Sequence, residues 1–290
     1  MMKKIALLYE ESQSETLQFV PELTTLLQQH DYETVIINLN QEGLECTDPD
    51  LQHCQMLIVL GGDGSILQAA HLCASQSTPI LGINFGRVGY LTELEPQELG
   101  QELPYYLNGD KSIWLDERTM LHATVKQGER QQEFIALNDM MIARGTWPRG
   151  VYVKTWIDGQ FLDTFYGDGI IFSTATGSTA YNLSVGGPIM HPRVEACILN
   201  PIAPHLASNR ALVVPLQATI QFQISTNDQN GIFSADGQWN CEVRDGTTVT
   251  IQKSDQITRF IRRKPPVHFY RVIHNPQQVI DEPHAGQPEV

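Results

Sequence analysis

Met56-Leu57-Ile58-Val59-Leu60-Gly61-Gly62-Asp63-Gly64-Ser65-Ile66-Leu67 decides how the rest of the chain is read. Met56–Leu60 is a short apolar run bounded by glycine, which reads as a buried strand. Ile66–Leu72 reads as a helix. Between them lies a tight glycine turn that carries one acid. Small residues let backbone N–H groups approach a ligand closely, and a helix N-terminus favours negative charge, so this is a phosphate-handling geometry. A carboxylate repels phosphate. Asp63 therefore has a task that outweighs the repulsion, either taking the proton of a hydroxyl or holding a metal ion.

Working outward, Ile5–Tyr9 reads as a first strand and Val35–Leu39 as a second. Leu17, Val20, Leu23 and Leu27 recur at helical spacing, with Pro21 either kinking that helix or marking its start. An acidic connector covers 40–55. Pro79–Ile83 is a fourth strand, and Asn84-Phe85-Gly86-Arg87-Val88-Gly89-Tyr90 is a second glycine turn. Strands alternating with helices predict a Rossmann-like α/β domain over 1–110, a parallel sheet with helices on both faces. Ligands of such sheets sit at the carboxyl ends of the strands, where both turns fall.

The pattern changes near residue 110 to short alternating runs. Val151–Ile157 and Phe161–Phe165 flank Asp158-Gly159, a hairpin signal. Cys241–Arg244 and Thr247–Ile251 flank Asp245-Gly246, which predicts a second hairpin. Residues 111–258 thus read as a mostly antiparallel, β-sandwich-like domain. Phe260–Val272 mixes aromatics with Arg262, Arg263 and Lys264, next to Arg259, and is expected to complete the first domain over about 259–274. Residues 275–290 read as a disordered tail.

At 290 residues, with 41% hydrophobic and 18% charged content, the chain suits a soluble cytoplasmic protein of one large or two modest domains. No apolar run reaches membrane-spanning length. The five widely spaced cysteines include no CxxC pair, which argues against a zinc site or disulfide frame. The net charge of −14 excludes a general nucleic-acid binder. Residues 1–110 hold 3 basic and 16 acidic residues, whereas 259–290 hold 5 and 3. The basic end is placed to dock on the acidic third, the alternative being that both are solvated surface.

Residues 166–188 are the densest in chemistry. Asp168 sits in a turn, and a strand over Ile170–Ser173 leads into the hydroxyl-rich run Thr174–Thr179, with a helix beginning near Thr179. Clustered hydroxyls and N–H groups at a helix start can bind phosphate or ribose. The plainer reading is an N-cap followed by helix packing. Asn138-Asp139 follows the apolar run Phe134–Leu137; an amide beside a carboxylate can bond a sugar diol, and equally such a pair can form a turn. Arg149 can meet a phosphate or remain solvated. Asp236-Gly237-Gln238 reads most simply as a hairpin turn. There is no G-x-x-x-x-G-K-[ST] loop, and the first 110 residues hold only Lys3, Lys4 and Arg87 as cations. If phosphoryl transfer occurs, positioning and a metal must supply most of the electrostatics.

In this order, Gly61-Gly62-Asp63-Gly64, the Asn84–Thr92 turn, Asn138-Asp139, and Gly167–Pro188 with its Thr-Gly-Ser-Thr-Ala-Tyr core resemble the NAD kinase family. The resemblance implies transfer of the γ-phosphoryl of ATP to the 2′-hydroxyl of the adenosine ribose of NAD, with Mg²⁺. It implies Asp63 as proton acceptor. Gly61, Gly62, Gly64 and Ser65 would cradle phosphate. NAD contacts would come from Asp63, Gly64, Asn138, Asp139, Arg149, Tyr166, Asp168 and Gln238. The run Thr179, Ala180, Tyr181, Asn182, Leu183 and Ser184 would meet the adenosine half. It also implies a homodimer or homotetramer. Two departures stand out: the family usually has Asn-Glu where this chain has Asn138-Asp139, and many relatives carry a basic residue in place of Tyr166. A lipid or sugar kinase with the same glycine turn, or a dinucleotide-binding regulator without turnover, are the competing readings.

Overall fold

The computed structural model describes residues 3–11, 14–41, 51, 53–86, 89–146, 149–206, 210–227 and 229–274. Most of the acidic connector, Arg87 and the expected disordered tail lie outside the described residues. The chain runs β1 (Lys3–Tyr9), α1 (Ser14–Gln29), β2 (Tyr32–Asn38), β3 (Met56–Gly61), α2 (Asp63–Cys73), β4 (Ile80–Asn84), a 3-10 turn (Pro96–Glu98) and α3 (Leu99–Leu107). It continues with β5 (Trp114–Gln127), β6 (Arg130–Ala136), β7 (Asp139–Arg144), β8 (Val151–Ile157), β9 (Gln160–Gly167), β10 (Gly169–Thr174), a 3-10 turn (Gly177–Thr179) and α4 (Tyr181–Ser184). Strands β11 (Ala196–Ile202), β12 (Leu212–Pro215), β13 (Ile220–Ser225), β14 (Gly231–Ala235), β15 (Trp239–Val243) and β16 (Thr248–Arg262) precede α5 (His268–His274). Packing divides the chain into two units, Met1–Glu117 with Thr258–Val290, and Arg118–Ile257. The first break falls at Glu117 and not at 110. The start of β5 is held within the first unit, where the indole N–H of Trp114 donates to the Lys264 carbonyl at 3.1 Å and Glu117 pairs with Arg259 at 2.9 Å.

In the first unit β1 pairs in parallel with β2 and β3, β3 with β4, and the end of β16 joins β4 through Phe260 beside Ile80. The central strands β3 and β4 are buried along their whole length, both faces being covered. Ile5, Leu7, Ile58, Leu60, Leu81 and Ile83 face a cluster with Val20, Leu23 and Leu27 of α1 and Leu99, Leu103 and Leu107 of α3. Between Leu81 and Ile83, Gly82 faces the other way, where a Cβ would lie 2.7 Å from Cδ1 of Ile66 on α2. Pro21 lies inside α1, which starts at Ser14. Leu17 is exposed, so the inward stripe of that helix is Val20, Leu23 and Leu27.

The basic end of β16 meets the acidic third as the charge split suggested. Arg263 pairs with Glu102, Lys264 with Glu98 at 3.8 Å, and buried Arg262 with Glu93 at 3.3 Å and Asp116 at 3.5 Å. The two half-exposed pairs add little to stability, whereas breaking the buried one would strand a charge, typically at about 3–5 kcal/mol.

The second unit is antiparallel. One sheet has the order β12-β11-β10-β7-β14-β15. Facing it are β13, paired with β8 and with β16, the hairpin β8-β9, and the pair β5-β6. A single core joins the two layers: Phe172 of β10, Leu199 of β11 and Phe233 of β14 pack with Leu121 of β5, Val153 of β8 and Phe222 of β13. That is the sandwich arrangement expected from period-two patterning.

The Asp-Gly pairs at 158, 236 and 245 do not behave alike. Asp158 and Gly159 both have positive φ, 50° and 76°, and close the β8-β9 hairpin. Asp236 and Gly237, at 50° and 69°, close β14-β15. The predicted hairpin at Asp245-Gly246 does not form. Only Gly246 has positive φ, 80°, and a two-residue hairpin turn of this kind needs it at both positions. The flanking strands part, β15 to β14 and β16 to β13. The Asp245 carboxylate instead accepts the N–H of Thr226, fixing the crossing. Among the described residues no helix is long and apolar enough to cross a membrane.

Candidate active site

The carboxyl ends of β3 and β4 place the two glycine turns of the first unit side by side. A Cβ on Gly86 would lie 3.2 Å from the Gly62 Cα, so the two backbones approach each other closely. Buried Asn84 shapes the second turn: its side-chain oxygen accepts the Gly86 N–H at 3.0 Å and its amide donates to Glu95 at 2.9 Å. The α2 helix opens at Asp63 with no side-chain cap, and Gly62 is extended.

Asp63 ties the turns together. Its two carboxylate oxygens accept the N–H of Leu91 at 3.0 Å and of Tyr90 at 3.2 Å. Desolvation pushes its pKa up, while those two N–H donors and then the Arg262 guanidinium pull it back. Burial outweighs them, so the pKa of Asp63 stays above the ordinary carboxylate value, the direction that makes a carboxylate a better proton acceptor. Of the other turn residues, Gly64 is exposed and Ser65 is buried with its hydroxyl donated to Glu10. Nothing in the sequence pointed to Glu10, to Asn84 as an organiser, or to the two N–H donors.

In the second unit, Asn138 and Asp139 sit at the start of β7. The sequence reading missed their anchor, Asp236. Its buried carboxylate accepts the N–H groups of Leu137 at 2.7 Å, Asn138 at 2.7 Å and Asp139 at 3.0 Å. The Asp236 N–H in turn donates to the Asp139 carbonyl at 2.9 Å. The turn pair read as a plain hairpin is therefore also a clamp on the Asn138-Asp139 peptide. Burial, and then the neighbouring Asp236 charge, push the Asp139 carboxyl up to about 7.

The hydroxyl-rich run bonds mainly to its own surroundings. Thr174 Oγ1 donates to the Leu137 carbonyl at 2.7 Å and accepts the Gly177 N–H at 3.0 Å. Ser178 Oγ donates to the Ala175 carbonyl at 2.7 Å and accepts the Met190 N–H at 2.9 Å. A Cβ on Gly177 would lie 2.1 Å from the Asn138 carbonyl oxygen, so this loop lies directly on the Asn138-Asp139 segment. The helix beginning near Thr179 is the four-residue α4, after a 3-10 turn. Asn182 is fully buried: its amide donates to the Ser178 and Pro188 carbonyls, each at 3.1 Å, and its oxygen accepts from Asn200 at 3.0 Å. It braces the loop from inside. Tyr181, Leu183 and Ser184 stay exposed, Thr179 and Ala180 half-buried.

Asp168 accepts from Arg144 Nε at 2.7 Å, a cation the sequence reading passed over. Tyr166 stacks on Tyr152 with centroids 4.2 Å apart and leans on His205 at 4.4 Å. Arg149 is exposed, and Gln238 is half-buried just after the Asp236-Gly237 turn.

The chain matches the model of the ATP-NAD kinase N-terminal domain over residues 5–111 and that of the C-terminal domain over 137–263. It is 32% identical to an NAD kinase of Natranaerobius thermophilus over 283 residues, 94% of this chain and 97% of that one. With an NAD kinase of Caldanaerobacter subterraneus it shares 40% identity over 209 residues, 72% of this chain and 73% of that one. Its fold is similar to an Archaeoglobus fulgidus NAD kinase in complex with ATP, with TM-score 0.75 and 26% identity over 94% of this chain and 98% of that one. It is also similar to yeast NADH kinase complexed with NADH, with TM-score 0.83 and 22% identity over 99% of this chain and 90% of that one.

Proposed function

The chain belongs to the ATP-NAD kinase family, and we propose on that footing that it transfers the γ-phosphoryl of ATP to the 2′-hydroxyl of the adenosine ribose of NAD, forming NADP. The observation that carries this reading is Asp63, a desolvated carboxylate held by two backbone N–H groups at the opening of α2. A pure binder has no use for such a group beside phosphates. In the proposed step the 2′-oxygen attacks the γ-phosphorus, the bond to the bridging oxygen of ADP breaks, and the hydroxyl proton passes to Asp63. Proton transfer of this kind typically contributes about 10²–10⁴ in rate. The glycine turns cradle the phosphates. Asn138, Asp139, Asp168 and the exposed residues of Thr179–Ser184 hold the dinucleotide, with Tyr181 as a flat wall; Tyr166, Arg149 and Gln238 are outer contacts.

Among the described residues no three His, Cys, Asp or Glu side chains are grouped to hold a metal ion. Mg²⁺ would then be carried largely by triphosphate oxygens and water, as is usual for that ion, and would supply charge neutralisation on the phosphoryl oxygens. ATP as donor is supported by the Archaeoglobus complex. A cytoplasmic homodimer or homotetramer belongs to the same reading, on the family likeness alone.

The test is NADP formation by the purified chain with NAD, ATP and Mg²⁺, read by an NADP-specific dehydrogenase and repeated with polyphosphate. NADP produced with ATP supports the reading. NAD binding without consumption of ATP would make the chain a dinucleotide-binding regulator.

A further inference from the structure

We infer that Arg262, near the end of the last strand, is a positioning residue for Asp63. Arg262 is 6% exposed, and its Nη1 donates to the Thr92 carbonyl at 2.8 Å. Thr92 directly follows Tyr90 and Leu91, whose N–H groups hold both Asp63 oxygens. The guanidinium therefore pins the peptide run that supplies the bonds to Asp63.

Arg262 is itself fixed from behind. Glu93 accepts its Nη1 at 3.3 Å and Asp116 its Nε at 3.5 Å, while the Phe260 ring lies 4.8 Å from its central carbon. Glu93 is anchored in turn, accepting the Tyr106 hydroxyl at 2.9 Å and the N–H groups of Arg263 at 2.8 Å and Lys264 at 2.9 Å. A planar fork that bonds a carbonyl and two carboxylates at once is a task for arginine; lysine presents one point charge. Among the described residues, the titratable and charged groups around Asp63 are Tyr90 on the second turn, Arg262 on β16 with Glu93 and Asp116 behind it, and Glu10 after β1, which bonds Ser65. Arg262 is the cation among them. It acts in the same direction as the two N–H donors, favouring the ionised carboxylate.

The kinetic consequence rests on the kinase reading; the electrostatic one does not. Arg262→Lys keeps the charge and loses the fork. The turn loosens, the N–H bonds weaken, and Asp63 binds its proton more tightly. NADP formation should show kcat reduced about tenfold, KM for NAD and ATP changed less than about twofold, and the acid limb of kcat/KM moved to higher pH. A ¹³C NMR titration of the Asp63 carboxyl, without substrates, should show the same upward movement. It reads the contact even if the wild type forms no NADP, which separates failure of this inference from failure of the kinase reading. Should Arg262→Lys not fold, Glu93→Gln takes its place. It unseats the guanidinium while keeping acceptors for the N–H groups, and the same signature is expected at smaller size. A folded variant with wild-type kcat and an unmoved Asp63 titration overturns the inference. So does a loss of kcat with an unmoved titration, which would make Arg262 merely structural.

Discussion

Asp63 in the first unit and Asp139 in the second are both carboxyls that folding has taken out of water, and their surroundings treat them oppositely. Around Asp63 the protein places two N–H donors and a cation, so the charge lost to burial is partly restored. Beside Asp139 it places Asp236, whose own charge is already met by three N–H groups. The clamp satisfies Asp236 and leaves Asp139 to carry the repulsion, so Asp139 holds a proton up to about pH 7. Burial alone thus does not set a role. Both carboxyls are raised, Asp63 against donors and a cation that oppose the rise and Asp139 with a like charge that adds to it; a protonated Asp139 can donate to a ribose oxygen.

Asp63→Asn should break this contrast most sharply. It keeps shape and size and removes the proton acceptor, so NADP formation should fall by about 10²–10⁴ with the fold retained. Near-wild-type turnover in the coupled assay would take the base assignment away. Next, Asp236→Ala strips the acceptor from three backbone N–H groups. At about 1–3 kcal/mol for each buried donor left unmet, urea unfolding should show a loss of roughly 3 kcal/mol or more. An unchanged midpoint would mean that the clamp is idle.

Asp139→Asn tests the other arm through pH. The folded carboxyl titrates near 7 and the unfolded one near the ordinary carboxylate value, so between those limits the folded state binds more protons. Stability from this group is full below the unfolded value, falls as pH rises, and has reached its floor above about 7. Asparagine has no such slope. The variant should gain on the wild type between pH 5 and pH 8 by something on the order of 1–3 kcal/mol in unfolding free energy. Parallel pH curves would show that Asp139 ionises freely. The smallest effect belongs to Arg144→Gln. The Arg144–Asp168 pair is partly exposed, so thermal unfolding should move by less than about 1 kcal/mol while KM for NAD rises. A large loss of stability there would show that surface pairs matter more in this chain than buried ones.

Much of the first unit was legible because its signals are local. An apolar run bounded by glycine has few alternatives, and Met56–Leu60 became β3 with one residue added. The sandwich layers followed from alternation in Val151–Ile157 and Ile220–Ile224. Asp245-Gly246 misled because dipeptide identity states what a turn permits, while φ at Asp245 is set by Thr226 and by the partners of β15 and β16. In the candidate site, the residues holding the chemistry were readable and those holding them in place were not. Asp236 lies 97 residues from Asp139, and Arg262 lies 170 from Thr92. Such pairings leave no periodicity to detect. The hydroxyls of Thr174 and Ser178 looked available because a sequence shows donors without showing the carbonyls that face them.

The separation between Arg262 and Thr92 also bears on the order in which the chain is made. The acidic third emerges from the ribosome early, with Glu93 bound for burial but its guanidinium and two of its N–H donors still unsynthesised. At ordinary elongation rates the wait over those 170 residues is roughly ten to thirty seconds. By the end of that interval the whole second unit, Arg118–Ile257, has been made before the first can close. A chain terminated just short of Arg262 would therefore damage the part made first, leaving an open Rossmann-like half beside a finished sandwich.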